Sequence, residues 1–246
     1  MINLFSFYRI YKYLLLYAAA LLYTGEVRSQ DIPVDSQKFI FFPLPMKKNW
    51  TTSIGITATT MPYDITEEFQ YRIPAGDFHV IRKMGNHFIL DGRVNFQIFQ
   101  NLITVGPHWV SKVSDRLSIS AGDNIGYWFG AVNSEGFKTK GKGWQNFPTV
   151  SLGYRFNRQA LLTFKADAIM NFSIDTRAGE TKLTSDVGLL SGSSYALILE
   201  QPFSGKTSMS LGFRAIYTNF FWQTWALFEN FDRNHLYPQI IIGLIL

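Results

Sequence analysis

Between His87 and Ile98 apolar and polar positions alternate with a period of two. Phe88, Leu90, Gly92, Val94, Phe96 and Ile98 are apolar or glycine, His87, Asp91, Arg93, Asn95 and Gln97 are polar, and Ile89 breaks the set. Successive side chains of a strand point to opposite faces, so the pattern predicts a strand with one greasy and one polar face. The pattern returns downstream. Leu117, Ile119, Ala121, Ile125, Tyr127 and Phe129 oppose Ser118, Ser120, Gly122, Asn124 and Gly126. Leu162, Phe164, Ala166, Ala168, Met170 and Phe172 oppose Thr163, Lys165, Asp167, Asn171 and Ser173, with Ile169 out of pattern. Val150 to Phe156 and Ile54 to Ala58 alternate too, and Met209 to Tyr217 does so with Ile216 as the exception.

The longer of these strands run to about eleven to fifteen residues, whereas strands of soluble sheets are usually about five or six. A tilted strand needs about nine to eleven residues to cross hydrocarbon. Short turns are expected at Val113–Arg116, Asn157–Gln159 and Gln201–Lys206, and long polar connections at Val132–Gly143, Asp175–Ser185 and Phe220–Asn234. Short turns on one side and long loops on the other are the pattern of a membrane barrel. Further strands near 39–43, 50–60, 66–73 and 77–83 would bring the total to about twelve, and merging two pairs would give ten. The expected fold class is therefore all-β, an antiparallel transmembrane β-barrel of about 10–12 strands.

Composition adds a route to that place. Arg9 and Lys12 precede the apolar run Leu14–Tyr23, which is too short to span a bilayer as a helix, and Val27-Arg28-Ser29 suits a cleavage site. Residues 1–29 read as a cleaved signal peptide and 30–246 as a single barrel domain. With no cysteine, the chain has no disulfide, no Cys-ligated metal and no lipid attached through cysteine. Aromatic residues make up 16% of the chain. The net charge of +5 is modest, and no lysine and arginine cluster interleaved with aromatics suggests nucleic acid.

Strand length argues that the apolar face meets lipid and the polar face lines a lumen. The polar face is rich in Gly and Ser and carries charges of both signs: Asp91, Arg93, Arg155, Lys165, Asp167 and Arg214. Buried single charges are costly, so pairing is expected, either as structural filler or as a substrate site. Asp123 falls on the apolar face, and the neighbouring Gly122 predicts a β-bulge that turns it into the lumen charge network. Tyr127, Trp128 and Phe129, and Phe220, Phe221, Trp222 and Trp225, are expected in interfacial girdles. His108 and His235 read as interfacial or loop residues.

The end of the chain alternates as well: Pro238, Ile240, Ile242, Leu244 and Leu246 share a face, although Ile241 and Ile245 blur it. This resembles the C-terminal strand of small outer-membrane β-barrels of Gram-negative bacteria, whose last residue is usually aromatic where this chain has Leu246. The resemblance implies residence in the bacterial outer membrane and recognition by the barrel assembly machinery, with outer-membrane lipid and lipopolysaccharide as neighbours and an unidentified protein partner allowed. It transfers no active site and calls for no cofactor.

The leading functional reading is a narrow pore, or a structural or accessory barrel, with a polar, charge-paired lumen. An outer-membrane lipid-modifying hydrolase is the first alternative, built on the charge-dense 64–93 segment with Asp77, His79 and His87 as the candidate site. No motif brings a serine to either histidine, so no catalytic residue is assigned. A secreted soluble all-β binding protein is the second alternative. No pair of histidines or carboxylates has metal-ligand spacing. Lys138, Lys140 and Lys142, expected in an exterior loop, would meet the phosphates or sugars of lipopolysaccharide, or simply solvent.

Overall fold

A computed structural model of the chain describes residues 38–66, 71–134, 137–156, 159–183, 188–204, 207–225 and 232–246. The expected signal segment lies outside them. The strands are β1 (Trp50–Thr60), β2 (Arg72–Lys83), β3 (Phe88–Phe96), β4 (Gln100–Lys112), β5 (Leu117–Ser134), β6 (Phe137–Arg155), β7 (Leu161–Ala178), β8 (Thr181–Leu183), β9 (Leu190–Ser204), β10 (Thr207–Thr218) and β11 (His235–Ile245). Each of the ten long strands pairs antiparallel with its neighbours, and the β1–β11 and β6–β7 ladders complete a closed ring. The three-residue β8 stands outside the ring and pairs only with the end of β7. A helical turn, α1 (Tyr63–Thr66), lies in the β1–β2 connection.

The fold is inverted relative to a soluble protein. Ile54, Ile56, Phe78, Val150, Leu197, Ile240 and Ile242 are exposed on the outer wall, whereas Ser53, Thr57, Thr59, Ser120, Thr163 and Ser210 are buried inside. The period-two alternation dictates this, since every outward side chain is followed by an inward one. The lumen therefore carries the hydrogen-bonding groups, and the belt that water would reject faces out.

The count is ten, the lower of the two totals expected from the sequence. The end of the expected strand 66–73 and all of 77–83 form one strand, β2, with Pro74 on its outward face, while 67–70 lie outside the described residues. The 39–43 segment is not a strand at all: it enters the lumen. The connections at one end, including Val113–Arg116, are short, which marks that end as periplasmic. The expected loop 132–143 is instead mostly sheet, because β5 and β6 run on as a hairpin of 18 and 19 residues. With β7, also 18 residues, they overshoot the roughly nine to eleven residues that cross the hydrocarbon and project outward from the membrane.

Candidate functional site: a lumen sealed at both mouths

At the outer mouth the chain after β10 turns back into the barrel. Phe220, Phe221 and Trp225 are buried and pack with Trp128, Ile169, Ile216 and Tyr237. Trp128 lies 5.3 Å from Phe220 and 6.1 Å from Trp225 by ring centroids, and Phe221 lies 4.6 Å from Tyr237. These rings are a plug, which corrects their expected place in an interfacial girdle. Only Tyr127 and Phe129 of the 127–129 triplet face out, because Trp128 occupies the inward position between them.

Two devices make the plug possible. Its backbone is satisfied locally: the Thr218 hydroxyl donates to the Phe220 carbonyl at 2.9 Å, the Thr224 hydroxyl to the Phe221 carbonyl at 2.9 Å, and Gln100 Nε2 to the Gln223 carbonyl at 2.8 Å. The wall beneath it is glycine. A Cβ on Gly141 would meet the Trp225 ring at 2.5 Å, and one on Gly130 would meet the same indole at 2.7 Å. Gly141→Val should therefore push Trp225 from its seat, at about 1–3 kcal/mol for an overpacked site. Faster proteolysis within 219–225, with a lower urea midpoint, is the expected readout, and unchanged cleavage would argue that the indole is not held by this wall.

At the periplasmic mouth the segment before β1 crosses the opening as a strap. Ile40 and Met46 are buried against Ile81 and Ile245, with Phe41 and Ile89 at their margin. A fully buried carboxylate on β9, Glu200, holds it. The backbone N–H groups of Ile40 and Phe41 donate to Oε1 at 2.7 and 3.1 Å, and that of Phe42 donates to Oε2 at 2.8 Å. Three N–H donors on one buried carboxyl group fix the strap's position.

Between the seals lies a charge network. Arg93 donates through Nε and Nη2 to the two oxygens of Asp77 at 2.7 and 2.9 Å, and Asn95 adds a bond to Asp77 at 2.8 Å. His79 Nε2 and Asp91 are 2.9 Å apart. Asp167 accepts from Thr149 and Ser194, each at 2.7 Å, and from Arg214 Nη2 at 2.9 Å, with Lys165 Nζ 3.5 Å away. The strap reaches this layer, since the Phe41 ring lies 4.9 Å from His79 and 5.5 Å from the Arg93 guanidinium. The cavity left among these groups is about 40 Å³. That is room for a water or two and not for a solute.

The other sequence candidates lie elsewhere. Arg155 faces inward but lines a separate cavity at the periplasmic mouth with Lys38, Met46 and Asp115. His87 sits in the β2–β3 turn and contacts the Val110 carbonyl at 3.3 Å. It is remote from Asp77 and His79 along the barrel axis, and the hydrogen bonds of both histidines run to groups other than a serine. His108 is buried in the lumen and His235 is buried at the start of β11, so neither is a loop residue. Among the described residues, no cluster of histidines and carboxylates is placed to hold a metal ion.

Asp123 is a correction. The β5–β6 ladder runs unbroken through Asp123↔Pro148, and β4–β5 keeps one register on both sides, Val105↔Ile125 and His108↔Gly122. There is no bulge, and Asp123 is exposed on the lipid face, outside the charge network. Gly122 is there for a different reason: a Cβ would meet the His108 ring at 2.3 Å. Asp123 is partly satisfied by Asn146 Nδ2, at 3.0 Å on the same outer face. Acidic side chains on a lipid face cost less than the roughly 2–4 kcal/mol of a basic one at the midplane. Asp123→Asn, which keeps a hydrogen-bonding carbonyl and removes the charge, is expected to stabilise the barrel in vesicles by about 1 kcal/mol. A lower urea midpoint for that variant would refute a lipid-facing carboxylate.

No protein-family model matches the chain, and no curated protein sequence matches it. Among solved structures, an outer membrane channel from Pseudomonas putida F1 is similar with a TM-score of 0.50 at 6% identity, covering 88% of this chain and 100% of that one. The KdgM porin gives a TM-score of 0.38 at 11% identity, covering 78% of this chain and 97% of its own. The NanC porin gives 0.40 at 8% identity, covering 79% and 98%. The Pseudomonas channel shares the fold. A closed antiparallel barrel with an apolar outer belt and an internally satisfied polar lumen is built for lipid, and the chain is an integral β-barrel protein of the bacterial outer membrane.

Proposed function

We propose that the protein is a plugged barrel whose resting state conducts no ions, a structural or accessory component of the outer membrane rather than an open pore. One observation carries this reading: among the described residues the chain enters its own lumen from both mouths, and the cavity among the charged groups between is about 40 Å³. The network charges answer one another, with Asp77, Asp91 and Asp167 each engaged by Arg93, His79, or Lys165 and Arg214. None of these groups is left reaching for a passing ion.

Single-channel recording in planar bilayers tests the proposal directly. The purified, folded protein should give a flat baseline at moderate voltage. A steady unitary conductance from the unmodified chain would overturn it in favour of a narrow pore. Nothing in the geometry favours the hydrolase alternative.

A further inference from the structure

The outward face of the β5–β8 projection carries charge in an unusual arrangement. Lys140 on β6 pairs directly with Arg177 on β7, and Arg177 pairs in turn with Lys182 on β8. Three cations thus stand side by side in one lateral row, all exposed. Lys142 lies in the next row toward the membrane and Lys138 in the next row away from it. Like charges directly opposite one another in a ladder are destabilising. Among the described residues, Asp175 answers this cluster through Arg177 at 3.7 Å, and Glu180 in the β7–β8 turn makes no described ion pair. The row is left with an excess of positive charge on rigid sheet.

What lies beneath the row is apolar. Tyr127, half-buried, is 4.8 Å from the exposed Trp144 and 5.8 Å from the exposed Phe129 by ring centroids, an aromatic cluster directly below the lysines. Phe99, Tyr127 and Phe129 help to floor an outer-surface groove of about 750 Å³ rimmed by Lys140, Lys142 and Arg177, with Asp175 opposite Lys142 as its one acidic lining residue and Lys182 continuing the cationic row beside it. Aromatic side chains of this kind sit at the headgroup level of a bilayer. A groove with an apolar floor and a cationic rim at that depth matches an amphiphile with negative headgroups.

We propose that this groove binds an outer-leaflet lipid, with its phosphate groups on Lys140, Arg177 and Lys182 and its acyl chains against Phe99, Tyr127 and Phe129. The membrane lipid, rather than a free anion, is the occupant because the cations stand over a lipid-facing aromatic floor. The sequence pointed to Lys138, Lys140 and Lys142 in a loop. The sheet adds Arg177 and Lys182, and it fixes the spacing that makes a site.

The test uses the full barrel in phosphatidylcholine nanodiscs doped with bisphosphorylated lipid A, with retained lipid read by native mass spectrometry. Each cation removed should weaken retention about fivefold, so Lys182→Gln should lose about that much and the triple variant Lys140→Gln, Arg177→Gln, Lys182→Gln about a hundredfold. Lipid A stripped of its phosphates should be retained no better by the natural chain than by the triple variant. Lys182 lies on β8, outside the closed ring, so its variant reports even if the triple variant fails to fold. Equal retention by Lys182→Gln and the natural chain would overturn the proposal. So would inorganic phosphate, added to protein in uncharged detergent, displacing lipid A at concentrations that ionic strength alone does not explain, because the occupant would then be a free anion.

Discussion

Asp167→Ala should lower the unfolding free energy of the barrel by about 3–5 kcal/mol, the usual loss when one partner of a buried ion pair is removed. Asp167 is the hub of the network: it accepts two hydroxyls and one guanidinium N–H, and pairs at 3.5 Å with the Lys165 ammonium. Without it Arg214 and Lys165 stay in a lumen that water barely enters, each lacking its carboxylate. Asp167→Asn separates charge from hydrogen bonding, since its carbonyl still accepts from Thr149 or Ser194 but offers Arg214 no negative charge. Its loss should fall between zero and that of the alanine variant. Urea unfolding in lipid vesicles, with an unchanged slope, is the measurement. A loss below about 1 kcal/mol for Asp167→Ala would show that the two cations find other partners and that the network is not closed on itself.

The second large effect is on conductance and requires two changes at once. Replacing Phe220, Phe221 and Trp225 together with alanine empties the outer mouth, and Glu200→Ala removes the acceptor of the strap's three N–H donors. Each buried N–H donor left without an acceptor costs about 1–3 kcal/mol, so the strap should leave its seat. Either change alone leaves one seal in place and should leave the bilayer silent. Both together should give a steady ion current through the polar mid-section. Ion preference should be weak, because Arg93, Lys165 and Arg214 face Asp77, Asp91 and Asp167 there. Conductance from the outer-mouth variant alone would show that the strap is no barrier. A folded double variant that stays silent would mean that the charge network is itself the gate.

Much of this protein is legible from a period of two. The alternation around Val94 and Phe164 placed the lipid face and the lumen face, because nothing but strand geometry determines which side chain points where. The isoleucines that broke the pattern held further information. Ile89 and Ile245 pack with the strap, Ile169 and Ile216 pack into the plug, and Ile241 is buried between them. An apolar residue on a polar lumen face is affordable only where something apolar covers it, so these exceptions trace the two seals.

The rest was hidden for a physical reason. Phe220, Trp222 and Trp225 belong equally well to a girdle or to a plug by composition, and only the glycines across the barrel decide between them. Gly130 and Gly141 lie on β5 and β6, far from Trp225 in sequence, so no local pattern joins the indole to its seat. Glu200 likewise looked like any polar position near a turn, since its partners are backbone N–H groups 158 to 160 residues away and carry no side-chain signature. Asp123 misled because a glycine beside a misplaced charge reads as a bulge, while the demand for glycine came from His108 on the adjacent strand.

Both seals lie beside the seam. The strap runs directly into β1, and the plug directly follows β10, which pairs with β11 beside the β1–β11 ladder that closes the ring from Ser53 to Thr59 on β1. Lumen sealing and ring closure are therefore one event in the life of the chain. Until β9 and β10 exist, the strap has no Glu200 to clasp and the plug has no Thr218 to hold its first turn. A half-built barrel is thus open at both mouths, and a finished one shuts itself.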